Sequence, residues 1–105
     1  MDEIYKMHAE VCKTLSSPIR LRVINALRTQ KLSAGELLKK IKTNKVILSQ
    51  HMAILAEKGV VKAERSGKNM FYQLSDPKII KACDIMREVL IKNLENKREL
   101  LKKIR

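Results

Sequence analysis

Four local signals, Ser17-Pro18, Ser33-Ala34-Gly35-Glu36, Asn44 and Gly59, cut the first part of this chain into helices too short to stand alone. Proline pre-sets φ for a first helical turn and keeps the residue before it out of the helical region, so Ser17-Pro18 closes one helix and opens the next. Ser33 followed three residues later by Glu36 is a capping box, in which the serine caps the helix and the glutamate returns the bond. Asn44 is a side-chain N-cap, and Gly59 tolerates the left-handed conformation that ends a helix. Helices of one to three turns are marginal in water, so these must be held by one shared core.

The apolar residues fall where such a core needs them. Ile4, Met7, His8, Val11, Cys12 and Leu15 lie on a 3-4 spacing and predict an amphipathic helix capped by Asp2 and ending near Ser16. Ile19, Leu21, Val23, Ile24 and Leu27 make a second helix, Gln30-Lys31-Leu32 a connector, and Leu37, Leu38 and Ile41 a short third helix. A fourth, from about Lys45 to Lys58, is expected to bury Leu48, Met52 and Leu55 and to present Lys45, Ser49, Gln50 and His51 outward, with Val46 beside them.

Val60–Arg65 and Met70–Leu74 read as two strands joined at Ser66-Gly67-Lys68-Asn69, a β-hairpin. Asp76-Pro77 repeats the start signal for a last helix of about 77–103, roughly 40 Å long at 1.5 Å per residue, with Glu99–Arg105 expected to fray. Its apolar positions Ile79, Ile80, Cys83, Met86, Leu90 and Leu94 exceed what a small domain covers, so part of the stripe is expected to pack on a second copy of the chain.

With 105 residues the chain is read as a single domain, 1–105, mainly α with a hairpin. Lys and Arg number 23 against 11 Asp and Glu, a formal charge of +12 with a pI near 10.0, which points to a polyanionic partner. Phe71, Tyr5 and Tyr72 are its only aromatic side chains of the stacking kind, too few for a module that stacks unpaired bases, so the expected partner is double-stranded DNA. There is no apolar run near the roughly 18 residues a bilayer requires, and Met1-Asp2-Glu3-Ile4 does not open a signal peptide. No membrane partner and a cytoplasmic location are therefore expected. No Cys-x-x-Cys, nucleophile elbow or carboxylate pair marks an enzyme, and no cofactor is expected.

Short helices followed by a twisted hairpin are the layout of a winged helix-turn-helix, in which one helix braces the backbone, the next enters the major groove and the hairpin tip reaches the phosphates or minor groove. On that layout Lys45, Val46, Ser49, Gln50 and His51 are the candidate groove residues, and Arg65, Lys68 and Asn69 the candidate wing residues.

Leu15-Ser16-Ser17-Pro18-Ile19-Arg20-Leu21-Arg22, Leu48-Ser49-Gln50-His51-Met52-Ala53-Ile54-Leu55, Lys58-Gly59-Val60-Val61 and Gly67-Lys68-Asn69-Met70-Phe71-Tyr72-Gln73-Leu74 resemble the ArsR/SmtB family of bacterial and archaeal repressors over about residues 10–95. The resemblance implies a homodimeric repressor whose first and last helices build the interface, and an inducer that loosens its grip on a pseudo-palindromic operator. Where family members often open the groove helix with Ser-Gln-Ser, this chain has Asn44-Lys45-Val46, and Val46 either touches a thymine methyl or packs against the helix before it.

The family's metal sites are not carried over. The brace-helix segment Leu32-Ser33-Ala34-Gly35-Glu36-Leu37 has no cysteine, and of the last-helix site only Asp76 is present, with Lys78, Val89 and Lys92 at the other positions. Cys12 and Cys83 remain, one on each helix of the implied interface. They are candidate sensing residues for a small inducer, reactive sulfur or an oxidant, able to form a disulfide or polysulfide if their Cα atoms come within about 7 Å. His8, one turn before Cys12, would assist. The alternatives are two packed thiols, a nonstandard metal or arsenite site, and, in another class, an architectural protein that binds any duplex by charge alone.

Overall fold

The computed structural model describes residues 1–104. Among them five helices and three strands follow one another: α1 (Asp2–Thr14), α2 (Pro18–Ala26), β1 (Leu32–Ser33), α3 (Ala34–Lys40), α4 (Lys45–Glu57), β2 (Val61–Ser66), β3 (Asn69–Leu74) and α5 (Lys78–Ile104). The chain is mainly helical with a three-stranded antiparallel sheet that carries the hairpin wing, a winged helix-turn-helix.

The helix starts are made by the bonds the sequence promises. Ser17 Oγ accepts from the Arg20 amide at 3.3 Å, with Pro18 opening α2. Ser33 Oγ accepts from the Glu36 amide at 3.1 Å while Glu36 Oε1 accepts from the Ser33 amide at 2.9 Å, so the capping box of α3 is complete. The Ser33 amide, and the Ser33 hydroxyl beside it, hold the Glu36 carboxyl below its ordinary pKa. Asn44 Oδ1 accepts from the Ile47 amide at 2.9 Å. The end of α4 is a Schellman turn: the Val60 amide donates to Leu55 O at 2.9 Å and the Gly59 amide to Ala56 O at 3.1 Å, with Gly59 at φ 76°.

Three boundaries differ from the sequence reading. Met1, not Asp2, occupies the N-cap of α1 without a side-chain bond, and Asp2 sits with Glu3 in the first turn, where acidic groups suit the helix dipole. Leu32-Ser33 is a strand rather than connector: it pairs with β3 as Leu32↔Tyr72 and Ser33↔Phe71, giving the order β1-β3-β2. Two residues are too few to show a period of two, but Leu32 is buried, which is what the pairing accomplishes. The hairpin turn is also tighter than expected, with Ser66 paired to Asn69 across only Gly67-Lys68. Gly67 at φ 62° supplies the left-handed first position that a two-residue hairpin of the glycine-first type demands.

Val23 and Ile24 of α2 with its C-cap Leu27, Leu37 of α3, and Leu48, Met52 and Leu55 of α4 meet in one core that Val60, Val61 and Ile80 complete. The outer helices share in it only at their ends. On α1 just Thr14 is buried, and Ile4, Met7 and Val11 stay exposed. On α5 the apolar stripe splits: Ile79, Ile80 and Cys83 pack on the core, while Met86, Leu90 and Leu94 are each more than half exposed. The split falls at an ionic fork, where Arg28 donates from Nη1 and Nη2 to the two carboxylate oxygens of Asp84 at 2.7 and 2.8 Å. Arg87, one turn on, adds a 3.2 Å bond to the same carboxylate, and Arg28 is itself steadied by Asn25. α5 stays helical through the segment expected to fray, as far as Ile104; Arg105, the end of that segment, lies outside the described residues.

Candidate nucleic-acid interface

Burial of Leu48, Met52 and Leu55 fixes which way α4 faces. The side chains left outside at i, i+3, i+4 and i+7 are Val46, Ser49, Gln50 and Ala53, all exposed, with Lys45 beside them. Val46 is 65% exposed, so of its two sequence-level readings the packed one is not what the fold adopts. Arg65, Lys68 and Asn69 are exposed at and beside the hairpin tip, Arg65 paired with Met70 and Ser66 with Asn69. Among the described residues no helix is long and apolar enough to cross a membrane.

His51 is placed differently from its neighbours. It is half-buried, and its Nδ1 accepts a 3.0 Å hydrogen bond from Arg20 Nε. The ring is therefore held neutral with its proton on Nε2, and burial together with the Arg20 charge lowers its pKa. The same guanidinium donates from Nη1 to the Thr14 carbonyl at 3.1 Å. Arg20 thus joins the end of α1 to the middle of α4. Sequence reasoning passed over it because nothing in Pro18-Ile19-Arg20-Leu21 marks a partner 31 residues away.

A second group missed from sequence is Lys39, Lys40 and Lys42, exposed in the last turn of α3 and the turn that follows it. With Lys45 they make the segment leading into α4 strongly basic. The clue was present as a run of lysines just ahead of the groove helix.

Cys12 is exposed on α1, as is His8 one turn before it, and Cys83 is half-buried on α5; both thiols are free. Burial pushes the Cys83 thiol above its ordinary pKa, Asp84 adds to the rise and Arg87 opposes it. Among the described residues no three His, Cys, Asp or Glu side chains come together as a metal site. Asp76, the one match to the family's last-helix site, is engaged as a cap, accepting from the Lys78 amide at 2.8 Å.

A braced helix with a free polar face and a basic hairpin beside it define a winged helix-turn-helix regulator. The chain belongs to the arsR family of bacterial regulatory proteins, which residues 17–63 match. It is 34% identical over 105 residues to the HTH-type transcriptional regulator Rv0081 of Mycobacterium tuberculosis, covering 99% of this chain and 92% of that protein. The crystal structure of Rv0081 superposes with a TM-score of 0.81 over 90% of this chain and 95% of that one, at 36% identity. A biofilm growth-associated repressor of Xylella fastidiosa is 39% identical over 70 residues, 67% of this chain and 61% of that protein. A homodimeric winged helix-turn-helix domain from Mycobacterium bovis shares the fold, with a TM-score of 0.80 over 90% of this chain and 88% of that one, at 20% identity.

Proposed function

We propose that this chain is a cytoplasmic transcriptional repressor that binds a pseudo-palindromic operator as a homodimer. The observation that carries the reading is the exposed face of α4, Val46-Ser49-Gln50-Ala53, preceded by an exposed run of lysines and backed by the buried Leu48, Met52 and Leu55. Gln50 is suited to bond an adenine edge in two places, and Ser49 to either base. Lys45, Lys39, Lys40 and Lys42 neutralise phosphates on either side, and Arg65, Lys68 and Asn69 hold the backbone or minor groove at the wing. His51 enters this scheme through Nε2 alone, because Nδ1 is engaged with Arg20. Footprinting tests the proposal: a defined palindrome should be protected, Gln50→Ala should relax the preference at one position per half-site, and Lys68→Ala should weaken all duplexes alike and flatten the salt slope by about one. Protection that spreads along DNA without a boundary would instead mark an architectural binder.

Control of binding by thiol chemistry is the accompanying proposal. It is favoured by the exposed Cys12 on α1, whose apolar face is left uncovered, and by the half-buried Cys83 where the stripe of α5 leaves the core. The exposed Cys12 is the thiol that meets a polysulfide or oxidant first, and Cys83 the one that closes the bridge. Polysulfide should weaken operator binding by wild type and leave the Cys12→Ser, Cys83→Ser double variant unaffected. Equal responses from the two proteins would sink the idea, and a response to arsenite or a metal alone would point to a nonstandard ion site.

A further inference from the structure

We infer that Val46 reads the 5-methyl group of a thymine, and that this contact, resting on the operator-binding reading above, makes part of each half-site depend on thymine as such. Val46 is 65% exposed on the first turn of α4, on the same stripe as Gln50 one turn later. A β-branched residue is a poor choice for an exposed helical position, since an alanine there would favour the helix by a few tenths of a kcal/mol. In exchange, valine in a helix keeps essentially one rotamer, so its two methyl groups are already fixed in space before anything docks on them.

The surroundings decide what docks. Lys45 precedes Val46 on α4, Lys42 lies in the turn before it and Lys39 and Lys40 end α3, all exposed, so the partner of this basic segment is anionic and, where it meets Val46, must offer an apolar atom. On the major-groove edge of duplex DNA the only such group is the thymine methyl. A valine has no donor or acceptor, so guanine, cytosine or adenine facing it would leave a polar edge unpaired as water is expelled. Gln50 meanwhile suits adenine through N6 and N7. The stripe is thus built for neighbouring A·T pairs in which Val46 distinguishes thymine from every other base, uracil included.

The test first selects sites from a random duplex library with the wild-type protein. Each thymine of the enriched site is then replaced by deoxyuridine, which removes the methyl and leaves the pairing intact, and affinity is measured by fluorescence anisotropy at fixed salt. One position per half-site should respond, with affinity falling about fourfold for one methyl and roughly fifteenfold when both half-sites are changed. Val46→Ala, at an exposed site where alanine favours the helix, should fold normally, as circular dichroism would verify, and bind thymine and uracil sites equally. The inference is overturned if no thymine matters to wild type, if the enriched site has none, or if Val46→Ala keeps the full thymine preference. It is equally overturned if Val46→Ala changes self-association but leaves DNA titrations unmoved, which would assign Val46 to a protein contact. If no sequence is enriched at all, the operator reading fails with it; enrichment without thymine sensitivity overturns the Val46 contact alone.

Discussion

At Arg20 a single guanidinium ties three helices together: it sits on α2, donates to the carbonyl of Thr14, the buried residue of α1, and fills the lone pair of His51 on α4. A protonated His51 has no lone pair at Nδ1 to accept that bond, and it would face a fixed positive charge. The folded chain therefore holds His51 below its ordinary pKa of 6.5, whereas the unfolded chain does not. Below the ordinary value the unfolded state binds the extra proton first. Stability should thus be flat above it with respect to this group and fall as pH drops through 6.5 toward the folded value. Urea midpoints at pH 7.5 and pH 5.5 would show it, and His51→Gln, which keeps an acceptor but does not titrate, should lose that part of the acid sensitivity. An unchanged pH dependence in the variant would remove His51 from the account. This pair was invisible in the sequence, because hydrogen bonding across 31 residues follows only from how α2 crosses α4.

The elements themselves were legible because their signals are local. Ser17, Ser33 with Glu36, Asn44 and Gly59 each act on backbone groups within a turn or so, so their meaning does not depend on the rest of the fold. β1 was not legible, since a pair of residues becomes a strand only when β3 is placed beside it. The same local physics predicts opposite outcomes at two glycines. Gly59 stands at φ 76° with open space where a Cβ would go, so Gly59→Ala meets no clash and should destabilise by about 1 kcal/mol from backbone strain alone. Gly35 lies in the first turn of α3 with only ordinary contact to Ser33 Oγ at 3.9 Å, so Gly35→Ala should stabilise by roughly 0.5–1 kcal/mol. Leu55→Ala, emptying a fully buried position of α4, should cost about 2–5 kcal/mol. Chemical denaturation of the three variants orders them, and any other ranking would contradict these roles.

Over the whole molecule, the Cα radius of gyration is 16.7 Å, where a compact chain of this length would have about 13 Å. The excess comes from α1 and α5, which extend beyond the core with Ile4, Met7, Val11, Met86, Leu90 and Leu94 uncovered. The sequence foretold that surplus from the length of the last helix, but not where the stripe leaves the core. A second copy of the chain covering these faces should make the unfolding midpoint rise with protein concentration, and Leu90→Glu should yield a monomer in sedimentation with much weaker operator binding. A wild type that sediments as a monomer at tens of micromolar would refute this. Mechanically, α5 is a cantilever fixed to the reading head at the Arg28–Asp84 fork. Its free arm, from Asp84 to Ile104, is about 30 Å long, so a tilt of roughly 5° at the root displaces the tip by about 2.6 Å. The gearing also runs in reverse: a displacement of ångström size far out on the arm reaches the root as only a few degrees of rotation, which makes the fork, rather than the tip, the place where stiffness matters.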